Sequence, residues 1–112
     1  LIQNTGLLES GDSLRGTAIR MGVPLLCLIG YRGYAKMQAM KARSEVESPA
    51  PEDMVRNDLD SAALVTEPTL NAWSVPYLFY RSDSDLPGVA EAWDQARRES
   101  RPVVILLLSE FI

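Results

Sequence analysis

VPLLCLIGYRG, residues Val23–Gly33, is a short apolar run that begins with Val-Pro and ends in a loop between two glycines. A run of this length is too short to span a membrane and is typical of a strand that is covered on both faces. It predicts a strand over Leu25–Ile29. Because ligands bind beyond the carboxyl ends of the strands in open α/β sheets, Gly30–Gly33 is the first place to look for a functional site.

The amino-terminal residues give a second such place. Leu1–Gln3 is typical of the end of a strand whose beginning is absent, so we expect the chain to be a fragment cut inside a domain. Asn4-Thr5-Gly6 has the composition of a turn, in which Gly6 is free to adopt a positive φ. This predicted turn would also follow the carboxyl end of a strand.

A helix is predicted between these two strands, over Gly11–Met21. Its N-cap would be Ser10 or Asp12, and Gly22 has the position of a C-cap glycine. The apolar residues that recur at helical spacing, and so predict its buried face, are Leu14, Ala18, Ile19 and Met21. Strand, turn, helix and strand in this order form the unit from which parallel sheets are built.

Residues 34–60 are the least regular part of the chain and predict a long loop insertion. Within them, Lys36–Arg43 favours a couple of helical turns. Ser44–Asp53 is acidic and contains two prolines, which predicts a loop. A connection of this length is typical either of a lid or binding loop or of a mobile surface insertion, and the sequence leaves both open.

The second half of the chain predicts two more helices and two more strands. Thr66-Glu67-Pro68 has the pattern of a helix start, and this helix would extend to about Trp73. Strands are predicted over Pro76–Tyr80 and Val103–Leu108, with a helix between them. The apolar stripe of that helix would be Leu86, Val89, Ala90, Trp93 and Ala96. The order of elements indicates an α/β fold with a mostly parallel, doubly wound sheet in a three-layer α/β/α arrangement.

The composition excludes several classes of protein. The chain has 112 residues, the size of one domain, and a net charge of −4 without a basic patch, so nucleic acid is not an expected partner. No apolar run approaches the ~20 residues of a membrane helix, so no membrane is expected either. The absence of histidine excludes Ser-His-Asp and Cys-His catalysis within this chain. Cys27 is the only cysteine; we expect it to be a small buried hydrophobe, and we expect a cytoplasmic location.

Arg32 is the candidate ligand-binding residue in the loop after the central strand. Its guanidinium could bind a carboxylate, sulfonate or phosphonate through two parallel hydrogen bonds. It could equally form an ion pair with one of the fifteen acidic residues. Trp73 and Trp93 lie on apolar stripes and are expected in the core, and Asp94 and Arg98 have the spacing of an i,i+4 pair. The sequence contains no glycine-rich phosphate loop.

Three segments resemble a known family, the sulfopyruvate and phosphonopyruvate decarboxylases. LIQNTGLL (Leu1–Leu8) is similar to their QNSGLGN turn, and VPLLCLIGYRG (Val23–Gly33) is similar to their IPxLLxxxxRG strand and loop. TEPTLNAWSVPY (Thr66–Tyr77) resembles their TPxLLDALGIPY helix and strand, and the helix and strand at Asp94–Leu108 also agree. The similar part of these thiamine diphosphate-dependent enzymes is the pyrimidine-binding (Pyr) domain, from its middle to its end.

The resemblance implies that residues 1–112 are a partial Pyr domain of a 2-oxo acid decarboxylase, with two groups of site residues. The residues of the turn that would face thiamine diphosphate are Gln3, Asn4, Thr5 and Gly6. The residues that would contact an anionic small-molecule substrate are Arg32 and Gly33. The resemblance also implies that a second domain or subunit binds the diphosphate and Mg²⁺, in a homo- or hetero-oligomer. The family's activating glutamate would lie upstream of Leu1, so we assign no catalytic residue and no metal ligand and expect the chain alone to be inactive.

One region departs from the family pattern, because Asn57-Asp58-Leu59 stands where the family often has a Gln-His pair. The substrate is therefore open among related 2-oxo acids. Two other hypotheses remain. In the first, the chain is a non-catalytic α/β binding or subunit-interface module, Gln3–Gly6 is only a tight connection and Arg32 forms only a structural ion pair. In the second, the chain is a flavodoxin-like domain.

Overall fold

The computed structural model describes residues 1–39 and 49–108. Its strands are β1 (Ile2–Gln3), β2 (Leu25–Gly30), β3 (Tyr77–Tyr80) and β4 (Pro102–Leu107). They form one sheet in the order β1-β2-β4-β3, and each neighbouring pair is parallel. The predicted α/β fold with a parallel sheet is confirmed, and the apolar run that indicated it is the strand β2, inside the sheet.

The helices lie between the strands along the chain. They are α1 (Asn4–Glu9), α2 (Gly11–Ser13), α3 (Tyr34–Ala39), α4 (Pro51–Met54), α5 (Ser61–Ala72) and α6 (Leu86–Glu99). A π-helix (Leu14–Ile19) continues α2, and a 3₁₀ turn (Asp83–Asp85) precedes α6. None of the described helices is long and apolar enough to cross a membrane.

The sheet is covered on both faces, because alternate residues of a strand point to opposite sides. On β4, Val104 and Leu106 point into the larger of two apolar clusters, which we call the main cluster. It contains residues of α1, the π-helix, α3 and α5. Val103 and Ile105 point the other way and pack with the alanines of α6. The predicted arrangement of helices on both faces of a parallel sheet is therefore present, and α6 covers one of the faces.

The turn predicted at Asn4–Gly6 is wrong, because these residues form the first turn of α1 and the chain passes directly from β1 into a helix. The positive φ angles of described glycines are at Gly22 (69°) and Gly33 (86°), so Gly6 does not need the freedom that the sequence suggested. Turns and helix starts both favour asparagine and threonine, since both offer backbone N–H groups to short polar side chains. Composition alone does not distinguish them.

The helix predicted over Gly11–Met21 is shorter and less regular, ending as a π-helix at Ile19. Neither predicted cap acts as one: the Ser10 hydroxyl donates to the carbonyl of Leu7, and the Asp12 carboxylate pairs with Arg15. Leu14 and Ala18 are buried as predicted, whereas the Met21 side chain is 72% exposed. Gly22 is the C-cap glycine, with its N–H donating to Ile19 and the N–H of Val23 to Ala18.

The insertion predicted at 34–60 is partly helical rather than a continuous loop. The helical turns predicted at Lys36–Arg43 begin in α3, but residues 40–43 lie outside the described residues. Residues 44–48 of the predicted loop Ser44–Asp53 also lie outside them, and the end of that segment belongs to α4. Tyr34 and Met37 are buried in the main cluster, so apolar side chains attach α3 to the rest of the fold.

The helix start predicted at Thr66-Glu67-Pro68 is wrong, because these residues lie in the middle of α5. The helix begins six residues earlier, with Asp60 instead of Thr66 at the N-cap, and an oxygen of Asp60 accepts a hydrogen bond from the N–H of Ala62 at 3.0 Å. Pro68 cannot donate a helical hydrogen bond, yet the helix continues through it to Ala72. Tertiary packing of α5 outweighs this local preference, and the predicted end near Trp73 is nearly right.

The apolar stripe predicted for α6 is only partly right. Ala92 and Ala96 are fully buried against the sheet, whereas Leu86 and Trp93 are 60% and 41% exposed. Small residues let the helix approach the branched side chains of β4 closely, which the larger ones would prevent. The core position predicted for Trp93 is therefore wrong, while Trp73 does pack against the main cluster. The pair predicted between Asp94 and Arg98 is replaced by one with Arg97, at 2.8 Å.

Glu67 is completely buried in the middle of α5 and is held by two tyrosines. One carboxylate oxygen accepts a hydrogen bond from the Tyr31 hydroxyl at 2.8 Å, and the other from the Tyr77 hydroxyl at 3.2 Å. Tyr31 directly follows β2, and Tyr77 begins β3. A buried carboxylate is costly unless hydrogen bonds replace its water, so these two bonds join the ends of two strands to one helix.

Replacing Tyr31 with phenylalanine should therefore destabilise the fold. The substitution removes one donor from a fully buried carboxylate and should lower the free energy of unfolding by about 1–3 kcal/mol, measured by urea denaturation. Tyr80→Phe is the matched control, because the Tyr80 hydroxyl donates to Asp83 at the surface. It should change the free energy of unfolding by less than about 0.5 kcal/mol. Equal effects of the two substitutions would contradict a structural role for the buried bond.

Candidate functional site

The two predicted site segments, Gln3–Gly6 and Gly30–Gly33, meet at the carboxyl ends of β1 and β2. β1 ends at Gln3 and β2 at Gly30, and these two residues are direct partners in the parallel ladder. Beyond them, Nδ2 of Asn4 donates to the backbone carbonyl of Arg32 at 3.0 Å. The Arg32 guanidinium also donates to Oε1 of Gln3 at 3.5 Å. Residues that are 28 positions apart in sequence are therefore in contact where parallel sheets bind ligands.

We call the group formed by Gln3, Asn4, Arg32 and Asp60 the corner. Within it, the side chain of Asn4 is completely buried. Its Nδ2 holds the Arg32 carbonyl, and its Oδ1 accepts a hydrogen bond from the N–H of Thr5 at 3.1 Å. Both polar atoms of the amide are thus engaged within the chain. Asn4 fixes the shape of the loop, while Gln3, directly before it, is exposed to solvent.

The Arg32 side chain forms an ion pair with Asp60, with Nε 2.9 Å from Oδ2. The two side chains are 51% and 27% exposed, so solvent screens the attraction and the pair adds at most about 1 kcal/mol to stability. Its value is orientation, since Asp60 is itself fixed by capping α5 through its other oxygen. The sequence left open whether Arg32 meets a ligand or an acid, and in this chain it meets Asp60.

Gly33 places this loop directly against the start of α5. Its φ is 86°, and a β carbon there would lie 2.9 Å from that of Asp60 and 3.1 Å from that of Ala63. Only a residue without a side chain permits both the left-handed backbone and this approach. Gly33 therefore shapes the loop, and it has only backbone atoms with which to contact a ligand.

Thr5 and Gly6 are brought to the site less directly, because both lie in the first turn of α1. Thr5 is half-buried, and Gly6 packs against β1, where a β carbon would lie 3.3 Å from that of Ile2. Gly6 therefore supports the strand behind the corner. Asp60 is the site residue that the sequence reasoning missed; the signal was an aspartate directly before Ser61 at the start of a helix, the usual position of an N-cap.

The charged side chains at the corner are those of Arg32 and Asp60. The thiol of Cys27 lies on β2, away from the corner. No group of three or more His, Cys, Asp or Glu residues in the described ranges is placed to hold a metal ion. Cys27 lies on β2 facing the main cluster, and burial raises the pKa of its thiol because apolar surroundings disfavour the thiolate. This agrees with its predicted role as a small hydrophobe.

Comparison with known proteins adds no assignment. No protein-family model matches this chain, and no curated protein matches its sequence. The resemblance to the decarboxylases therefore depends on the segments Leu1–Leu8, Val23–Gly33, Thr66–Tyr77 and Asp94–Leu108. The parallel α/β fold is established by the structure, and the function is argued below from the corner that Asn4 and Arg32 form.

Replacing Gly33 with alanine should destabilise the loop and with it the corner. Forcing a β carbon into a left-handed backbone costs about 1–2 kcal/mol, and contact with Asp60 and Ala63 adds to this cost. Urea denaturation should show a loss on the order of 2 kcal/mol or more. Gly88→Ala is the control, because nothing lies within 4 Å of a β carbon there and alanine favours a helix. If Gly88→Ala proved as destabilising, the packing of Gly33 would not be the cause.

Proposed function

We propose that this chain is part of a thiamine diphosphate-dependent 2-oxo acid decarboxylase and contributes the aminopyrimidine side of its active site. The observation that carries the proposal is the hydrogen bond of 3.0 Å from Nδ2 of Asn4 to the carbonyl of Arg32. It joins the segment that resembles the family's cofactor turn to the segment that resembles its substrate loop. Their meeting at the carboxyl edge of a parallel sheet is the arrangement that the proposal requires.

The chemistry of the exposed side chains at the corner suits an aminopyrimidine ring in part. An amide side chain offers both a donor and an acceptor, as an aminopyrimidine edge does, and the amide of Gln3 is exposed. The amide of Asn4 is buried and already engaged, so in this proposal Asn4 positions the loop and does not touch the cofactor. The direct contacts fall to Gln3 and to the half-buried Thr5.

When bound, thiamine diphosphate supplies an electron sink for the carbanion that loss of carbon dioxide creates. The residues of this chain bind and orient. Arg32 presents a half-exposed guanidinium to the acidic group of the substrate, and Asp60 holds that guanidinium in place at 2.9 Å. Gln3 is hydrogen-bonded to the same guanidinium, which links cofactor position to substrate position. Mg²⁺ and the diphosphate are assigned to a second domain or subunit.

The alternative is a non-catalytic α/β binding or subunit-interface module. The observation that favours it is the closure of the corner on itself: the Asn4 amide, the Arg32 guanidinium and the Asp60 carboxylate all have partners within the chain. In that case, the corner would be a structural joint between β1, β2 and α5. The two hypotheses differ in whether the exposed amide of Gln3 binds a pyrimidine.

Titration with thiamine, which carries the aminopyrimidine without the diphosphate, tests this directly. In NMR spectra of the chain, saturable shifts should concentrate on the backbone amides of residues 4–6 and of Gly33. Gln3→Ala should weaken the binding about fivefold or more, because it removes a donor and an acceptor at the ring edge. Gln95→Ala, on α6 at the opposite face of the sheet, is the control and should leave the binding unchanged.

Two results would count against the decarboxylase assignment. One is the absence of any saturable shift at millimolar thiamine. The other is a set of shifts that is centred away from the corner, or that Gln3→Ala and Gln95→Ala alter equally. Either result would favour the binding or interface module.

A further inference from the structure

The guanidinium of Arg32 keeps part of its donor edge available at the corner. Its Nε donates to Oδ2 of Asp60 at 2.9 Å, and its Nη1 donates to Oε1 of Gln3 at 3.5 Å. Within residues 1–39 and 49–108 no acceptor meets Nη2, and the side chain is 51% exposed. A guanidinium carries five N–H donors in a planar fork, so the Nη1–Nη2 edge can still take an oxyanion through two hydrogen bonds.

The carboxylate of Asp60 is fixed against this guanidinium on two sides. Its Oδ1 accepts a hydrogen bond from the N–H of Ala62 at 3.0 Å, and its Oδ2 accepts one from Arg32. Gly33 lies so close that a β carbon there would come within 2.9 Å of the β carbon of Asp60. Rotation of the carboxylate would break both hydrogen bonds, so we expect the negative charge to stay beside the guanidinium when a ligand binds.

The ion pair at the corner has no net charge, and the other two corner residues, Gln3 and Asn4, are uncharged. Two basic residues of the neighbouring elements face a different acid. Arg56, which follows α4, donates two hydrogen bonds to Asp58, and together with the charge of Lys36 on α3 it lowers the pKa of the Asp58 carboxyl group. An anion that reaches the corner therefore meets one positive charge with one negative charge fixed beside it.

A neutral pair of this kind favours a ligand with a single negative charge. The first charge on the ligand gains the two hydrogen bonds of the guanidinium, which are strong because both partners are ionised. A second charge on the same ligand gains no further attraction, since Asp60 repels it about as much as Arg32 attracts it. Without the carboxylate, the second charge would strengthen binding about fivefold, which corresponds to about 1 kcal/mol for unit charges roughly 4 Å apart in water.

We propose that Asp60 restricts the Arg32 fork to singly charged oxyanions. The acidic group of the substrate is then a carboxylate or a sulfonate, and a phosphonate, which can carry two negative charges, is disfavoured. That this group belongs to a substrate rests on the proposed function, whereas the preference for one charge is a property of the corner itself. Asp60 determines specificity through the guanidinium that it holds and does not touch the reacting atoms.

Titrations of the chain with methanesulfonate and with sulfate compare one and two charges on groups of the same tetrahedral shape. At constant ionic strength, NMR spectra should show saturable shifts of the Arg32 Nε–H and of the Gly33 amide with methanesulfonate. The dissociation constants of the two anions at these signals should agree within about twofold, because the second charge gains nothing from a neutral pair. Acetate, titrated in parallel, tests the planar member of the same class.

Asp60→Asn and Asp94→Asn form a matched pair of variants. Each removes one negative charge from an aspartate that is paired with an arginine, at 2.9 Å for Asp60 and at 2.8 Å for Asp94 on α6. Asparagine also caps helices, so α5 should remain intact in Asp60→Asn, and circular dichroism checks that both variants fold. Asp60→Asn should tighten sulfate binding about fivefold or more relative to methanesulfonate, and Asp94→Asn should change this ratio by less than about twofold.

Three results would overturn the proposal. The first is a severalfold preference for sulfate in the unaltered chain. The second is an unchanged ratio in Asp60→Asn, or an equal change in Asp94→Asn, which would mean that the overall charge of the protein sets the preference. The third is the absence of a saturable shift at the Arg32 and Gly33 signals with all three anions.

The thiamine titration at Gln3 tests the proposed function separately. A corner that binds thiamine but prefers sulfate would overturn this inference and leave the decarboxylase assignment in place. A corner that shows the expected anion preference but binds no thiamine would overturn the assignment and support the charge preference of the Arg32–Asp60 pair.

Discussion

The buried carboxylate of Glu67 is the interaction on which the rest of the structure depends. Hydrogen bonds to it from the Tyr31 and Tyr77 hydroxyls join α5 to the end of β2 and to the start of β3. Removing a carboxylate from water costs several kcal/mol unless donors replace the lost hydration, so both hydroxyls must stay in place. Tyr31 is thereby fixed, and the residues that follow it, Arg32 and Gly33, begin from a defined position.

The candidate site is a consequence of that fixed point. With Tyr31 held, the backbone of Arg32 reaches Asn4, and Gly33 packs against the start of α5, where a β carbon would come within 2.9 Å of Asp60. Asp60 then serves two purposes, since one carboxylate oxygen caps α5 and the other orients the Arg32 guanidinium. Each of these contacts is weak because it lies at the surface. Together they hold the positively charged guanidinium of Arg32 at the carboxyl ends of β1 and β2. This is the ordinary position of a ligand site in an α/β sheet.

The two faces of the sheet are covered differently. On one face, side chains of α1, the π-helix, α3 and α5 form the main cluster with Val104 and Leu106 of β4. On the other face, Ala92 and Ala96 of α6 pack against Val103 and Ile105. The polar residues Gln3, Asn4 and Arg32 lie beyond the carboxyl ends of β1 and β2.

The sequence by itself determined the α/β class, the interior strand β2, the later strands and the two places beyond the strand ends. These follow from short apolar runs and from Gly22, whose patterns are local and need no partner. Tertiary structure alone decided that Asn4–Gly6 is helical, that α5 runs through Pro68, that Trp93 is exposed and that Arg32 pairs with Asp60. In each case contacts between distant residues outweighed a local preference, which is about 3 kcal/mol for Pro68 inside a helix and about 1 kcal/mol or less for ordinary residues. Hydropathy could not identify the buried side of α6 either, because alanines lie on both sides and only contact with β4 selects Ala92 and Ala96.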